Sequence, residues 1–229
     1  MTHAPDALIF DVFGTCVDWR STVARDVAQV LPDVDALAFA DAWRGEYHPA
    51  MRRIRDGNRG YVALDDLHLE NLERVAERFE ADAPASLNTA WERLDPWPDV
   101  VAGLTALKDI AIIAPCSNGS IALMTRLARY GALPWDCILG AEIAQDYKPK
   151  PAVYLAACQA LQLPPKAVMM VAAHNDDLVA ARACGLQTAF VPRPTEHGPS
   201  QTTDLAPSDA WDIIAQDFQD LADQVAAKR

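Results

Sequence analysis

The chain has 229 residues, 51% of them hydrophobic and 23% charged, enough to bury a substantial core as one large domain or one domain carrying an insertion. Its formal net charge of -12 argues against nucleic acid or an anionic membrane surface as a partner, because both select a basic footprint. No run of about 18 apolar residues occurs, and no basic segment leads into an apolar one at the amino terminus, so a cytoplasmic protein off the membrane is expected.

In chain order, residues 7–10 form a short apolar run that ends in Asp11, with Gly14 soon after as the punctuation expected behind a buried strand. Residues 19–95 break that grammar. They read as amphipathic helices over 21–31, 36–55, 64–79 and 85–94 with no convincing strand, an inserted small helical cap domain. Pro96, Trp97 and Pro98 mark the return to the core, since closely spaced prolines stop a helix and stiffen a connection. The apolar run 110–114 then leads into Ser117, Asn118 and Gly119, and a helix is expected over 121–130. Run 137–139 leads into Gly140, followed by a helix over 152–161. Run 168–172 leads into His174 and Asn175, with a helix over 178–184 stopped by Gly185, and run 188–191 leads into Pro192. A long proline-containing loop, 192–207, precedes a last helix over 208–227. Strands alternating with helices predict an α/β fold with a doubly wound parallel sheet built from 1–18 and 96–229, and the cap from 19–95. In such sheets ligands bind outside the carboxyl ends of the strands, where the polar clusters fall.

The five cysteines are odd in number, scattered and never paired as C-x-x-C, which suits a reducing compartment. Positive charge for an anionic substrate is available at Arg44, at Lys148 and at the group Arg52, Arg53, Arg55 and Arg59, the last group reading first as a solvated helix face.

The segment IFDVFGTCVDW, with Asp11 opening a D-x-x-G-T sequence behind a strand, resembles the first motif of the haloacid dehalogenase superfamily, in which that Asp is the nucleophile. Ser117 and Asn118 in CSNGS resemble the second motif, Lys148 in DYKPKPAVY the third, and Asp177 in HNDDLVAAR the later Asp of the fourth. The helical insertion also agrees with the small cap of that family. Phosphatases of the superfamily carry an acid two residues after the nucleophile and a metal-binding Asp four positions before the one matching Asp177. Here those positions are Phe13 and Ala173, which points away from phosphoryl transfer and from a metal cofactor. The pattern that remains resembles the (S)-2-haloacid dehalogenases, whose motif has an aromatic third residue. The resemblance implies an aspartyl ester formed by backside displacement of halide from a small anionic 2-haloacid, with no cofactor and a homodimeric assembly. A phosphatase or phosphonatase is the alternative.

Residue by residue, Lys148 is expected to keep Asp11 ionised, Thr15 and the loop amides after Asp11 to orient it, and Ser117 with Asn118 to contact the substrate carboxylate. Arg44, after Trp43, resembles the cap arginine that helps bind halide and carboxylate, and Tyr154 either resembles the tyrosine near the catalytic lysine or is a core aromatic. The fourth motif departs from the best-known members, with Ala172, Ala173 and His174 where they have Ser-Ser-Asn. It resembles a subset that shares PTEHGP, DLAP and Trp211, some of whose members release fluoride. His174 is either a structural histidine or the group that activates the hydrolytic water.

Overall fold

The computed structural model describes residues 3–57 and 59–229, with the side chain of Arg55 outside the description. Strand β1 (Ala7–Phe10) is buried on both faces, which is why its sequence is an unbroken apolar run rather than an alternation. It lies between β4 (Ile112–Ser117) and β6 (Val168–Ala172), each parallel to it, and β5 (Leu139–Gly140), β7 (Gln187–Phe190) and β8 (Ile213–Ile214) complete a six-stranded sheet in the order β5-β4-β1-β6-β7-β8. The chain adds β4 and β5 on one side of β1 and then crosses back to add β6, β7 and β8 on the other, so the crevice at the carboxyl end of β1 is the topological switch point, and Asp11 is the next residue. The doubly wound parallel sheet expected from the sequence is therefore the fold.

Helices α5 (Val100–Lys108), α6 (Ile121–Tyr130) and α10 (Phe218–Ala226) pack on one face, where Phe10 meets Phe218 at 5.6 Å between ring centroids. Helices α8 (Pro151–Ala160) and α9 (Asn175–Ala183) cover the other around Tyr154, Leu178 and Trp211.

Between β2 (Val17–Asp18) and β3 (Asp95–Pro96), which pair antiparallel, run α1 (Trp19–Val30), α2 (Ala36–Gly45), α3 (Tyr47–Arg55), α4 (Leu64–Arg78) and a 3-10 stretch at Ala85–Glu92. Two expectations change here. The helix expected over 36–55 is two helices, because Pro49 has no N–H to give to the carbonyl of residue 45 and the chain breaks at Gly45 and Glu46. The last helix expected, over 85–94, is instead a 3-10 stretch over Ala85–Glu92, and the short β2–β3 pair closes the insertion at its two ends.

In the core, the second strand covers 112–117 rather than 110–114, so Ser117 is its last residue. The tail expected as one helix over 208–227 instead makes strand β8 and then α10. Asp212 accepts the Thr188 amide at 2.9 Å, tying the tail to β7, and Asp217 starts α10 by accepting the Asp220 amide at 2.8 Å. No described helix is long and apolar enough to cross a membrane.

Candidate active site

Asp11 emerges from β1 with its carboxylate buried, and three side chains hold it. Lys148 Nζ donates to Oδ1 at 2.8 Å, while Oδ2 accepts from Thr15 Oγ1 at 2.7 Å and faces His174 Nδ1 at 3.0 Å. Side chains therefore take the place of the loop amides expected from the sequence. Thr15 is itself aligned by the Ala173 amide, which donates to its oxygen at 2.9 Å. Burial alone would raise the pKa of Asp11, but the Lys148 and His174 charges and hydrogen bonds outweigh it and hold the carboxyl well below the usual range.

Lys148 lies in the loop between α7 (Ala141–Ala144) and α8, and its ammonium also donates to Asp177 Oδ2 at 2.6 Å. Burial opposes its charge, yet the flanking carboxylates Asp11 and Asp177 raise its pKa well above the ordinary value. Tyr154 on α8 donates to Asp177 Oδ1, so the tyrosine belongs to this network and is a core aromatic as well. Asp177 has one lysine to share with a second carboxylate, and burial leaves its pKa raised. Among the described residues no group of three or more His, Cys, Asp or Glu is arranged to hold a metal ion.

His174 precedes α9 and bridges two carboxylates: its Nε2 lies 2.8 Å from Glu196 Oε2. The sequence reading does not single out Glu196, although it notes both the loop 192–207 and the PTEHGP segment that contain it. No local sequence pattern marks it; in the structure it lies against Gly14. The Gly14 φ of +88° is one that glycine adopts freely, and a Cβ there would lie 2.1 Å from Glu196 Oε1.

Opposite these groups stands an aromatic wall from α1 to the 3-10 stretch. Phe13 packs edge-on against Trp91 and His68 at centroid separations of 5.9 and 6.2 Å, and His68 stacks on Trp91 at 4.3 Å. Burial, and then the Arg44 charge, push His68 down to about 3, so its ring is neutral at pH 7. The Arg44 guanidinium lies 4.0 Å from the Tyr47 ring centroid and 5.6 Å from that of Trp19. Its Nε and Nη1 are shielded from solvent without a hydrogen-bond partner, as are His68 Nδ1, Asn71 Nδ2 and Trp91 Nε1.

Asn118 ties this wall to the core, since its Nδ2 donates to Tyr47 Oη at 3.0 Å and its Oδ1 accepts the Lys148 amide at 2.7 Å. Ser117 is fully buried and accepts the Gly119 amide at 3.1 Å. Of the arginines beyond Arg44, Arg52, Arg53 and Arg59 are exposed as a solvated face requires, and the Arg55 side chain lies outside the described residues. All five cysteines are free.

A lysine-paired aspartate at the switch point of a parallel sheet, facing an insertion of helices, defines the class as a Rossmann-like α/β protein with a buried carboxylate centre. Comparison with known proteins agrees: the family described as haloacid dehalogenase-like hydrolase matches residues 5–185. The chain is 48% identical to a defluorinating L-2-haloacid dehalogenase of known structure, with a TM-score of 0.95 over 97% of this chain and 95% of that one. It is 46% identical to a second L-2-haloacid dehalogenase structure, with a TM-score of 0.94 over 97% and 99% of the two chains. (S)-2-haloacid dehalogenase 4A of Burkholderia cepacia is 26% identical over 97% of this chain and 100% of its own length. The chain belongs to the haloacid dehalogenase-like hydrolases, on their L-2-haloacid dehalogenase branch.

Proposed function

We propose that this protein hydrolyses small 2-haloalkanoic acids, among them L-2-chloropropionate, haloacetates and fluoroacetate, to 2-hydroxy acids. The observation that carries the reading is the unequal solvation of the Asp11 oxygens: Oδ2 has two partners, Thr15 and His174, while Oδ1 has Lys148 alone. Oδ1 is thus the freer oxygen to form a bond to carbon 2 as the carbon–halogen bond breaks, releasing halide and inverting the carbon. Phe13, where a phosphatase has its acid, instead supplies apolar surface beside the nucleophile.

In this reading residues 19–95 act as a cap over the crevice, and the unpartnered Arg44 nitrogens receive the halide or the substrate carboxylate. Ser117 and Asn118 shape the carboxylate subsite, and Lys148, steadied by Asp177 and Tyr154, keeps the nucleophile charged. His174 stands beside the ester that results. A cytoplasmic homodimer is carried into the reading by the family resemblance, and light scattering in solution checks the assembly.

The test is a single turnover in heavy-oxygen water with enzyme in excess, using chloroacetate and fluoroacetate in parallel. Attack of water at Cγ puts label into the Asp11 side chain, read in its peptide by mass spectrometry, while the first 2-hydroxy acid leaves with unlabelled Oδ1. Label in the product alone, or phosphate release from phosphomonoesters exceeding halide release, overturns the reading.

A further inference from the structure

We propose that Glu196 is a positioning residue that retains the Nε2 proton of His174 throughout the cycle, so that Nδ1 is the nitrogen that takes a proton from the water attacking the Asp11 ester. The inference rests on the aspartyl-ester reading.

Glu196 is 1% exposed, and a carboxylate is almost never so buried unless paired. Its Oε2 faces His174 Nε2 at 2.8 Å, and its Oε1 accepts from Trp19 Nε1 at 2.9 Å. The loop that carries it is pinned at both ends. Arg193 donates to the Thr15 carbonyl at 2.9 Å and to both oxygens of Asp99 at 2.8 and 2.9 Å, and Asn175 donates through its backbone and side-chain nitrogens to Asp204 at 2.9 and 2.7 Å. The groups facing His174 are Asp11, from the loop behind β1, and Glu196. Lys148 and Asp177 stand behind Asp11, and His197 Nε2 lies 3.6 Å from Glu196 Oε1.

With a carboxylate at each ring nitrogen, the resting His174 is an imidazolium and has no lone pair to offer. Burial disfavours that charge, but Glu196 and Asp11 carry its pKa well above the ordinary value. Alkylation of Oδ1 changes one side only: Oδ2 becomes a neutral ester carbonyl, a weaker acceptor, while Glu196 is still ionised. The Nδ1 proton then leaves to solvent, matching the halide already released. Water next gives a proton to Nδ1 as its oxygen bonds to Cγ, and the carbonyl pair moves to Oδ2, where Thr15 donates. Collapse breaks the Cγ–Oδ1 bond, the new hydroxyl on Cγ gives its proton to the departing alkoxide, and Asp11 carboxylate and His174 imidazolium are restored. The sum is haloacid and water giving hydroxy acid, halide and one proton.

The test follows both half-reactions by rapid quench with chloroacetate as a function of pH, in the native enzyme, Glu196→Gln and Glu196→Leu, with folding checked by thermal unfolding. Gln keeps an acceptor for Nε2 but removes the charge that favours the imidazolium. The acidic midpoint of ester hydrolysis is therefore expected to move down by about one pH unit or more in Glu196→Gln. Leu removes the acceptor too, and hydrolysis is expected to slow about 100-fold, with a halide burst and ester accumulating on Asp11. A native midpoint in Glu196→Gln overturns the proposal, as does equal slowing of alkylation and hydrolysis in both variants. Halide release by the native enzyme without label entering Asp11 is a different outcome, the failure of the ester route itself.

Discussion

The two walls of the crevice follow opposite rules. On the core wall the polar atoms answer one another: Asp11 meets Lys148, Thr15 and His174, Lys148 meets Asp177, and His174 meets Glu196. On the helical wall Arg44 Nε and Nη1, His68 Nδ1, Asn71 Nδ2 and Trp91 Nε1 are shielded from water and answer nothing. A buried polar group left unpaired costs about 1–3 kcal/mol, so a protein that keeps several on one wall spends stability there. The contrast separates two tasks. The core wall is organised before substrate arrives, as electrostatic catalysis requires. On the proposed function, the helical wall keeps polar atoms free for a bound anion, the trade of stability against function seen at binding sites.

The largest effect that tests this contrast is at the nucleophile. Asp11→Asn is expected to cut halide release from chloroacetate by about 1,000-fold or more while leaving the fold intact, measured by ion chromatography and circular dichroism. Activity retained within tenfold would show that the core wall is not the reacting one. Next is Lys148→Met, which leaves the buried carboxylates of Asp11 and Asp177 without their shared cation. It is expected to destabilise the protein by about 3–5 kcal/mol in denaturant titration as well as to abolish turnover. On the other wall, Arg44→Met is expected to raise KM for chloroacetate about 10- to 100-fold, yet to leave stability unchanged or improved, because two unpaired donors disappear. Equal destabilisation by both substitutions would erase the distinction between the walls.

The core wall also sets a pH window. The pKa values of Asp11 and Glu196 are lowered by folding, so the stability they contribute is present above their unfolded values, about 4, and is lost as pH falls below them. His174 has the opposite sign. Its contribution is complete below its unfolded pKa of about 6.5 and fades as pH rises through its elevated folded value. Denaturant titrations across pH are expected to show a fall on the acid side in the native protein, and in His174→Asn a smaller loss on the alkaline side.

How far the sequence reveals these walls depends on the range over which each residue finds its partners. Asp11, Ser117 and His174 each follow an apolar run that ends in a turn, so their shared edge of the sheet is readable from local pattern alone. Lys148 and Asp177 lie 137 and 166 positions beyond Asp11, and the motif resemblance places them where periodicity has no reach. Glu196 is harder. It sits in an irregular loop where no period applies, and its partners Trp19 and His174 are 177 and 22 positions away. His68, Asn71 and Trp91 are hidden for another reason. On an amphipathic helix a buried polar residue such as His68 or Asn71 looks like a flaw in the apolar stripe, Trp91 looks like part of it, and only packing brings His68 and Trp91 together at 4.3 Å. The helix expected over 36–55 fails for a different reason: its apolar period runs on across Pro49, while the backbone breaks at Glu46.

The finest test of the contrast is His68→Phe. The ring is 2% exposed, stacks on Trp91 at 4.3 Å and meets Phe13 edge-on, contacts that a phenyl group of similar size can keep. What changes is the polar edge: both ring nitrogens, among them Nδ1, which is buried without a partner, are replaced by carbon. If that nitrogen serves only the bound anion, the variant gains up to about 1 kcal/mol in denaturant titration and loses a few-fold in kcat/KM for chloroacetate. Loss of stability would mean that the nitrogen is already satisfied in the free protein. The helical wall would then be as self-contained as the core wall, and its chemistry would have to be read from Arg44 alone.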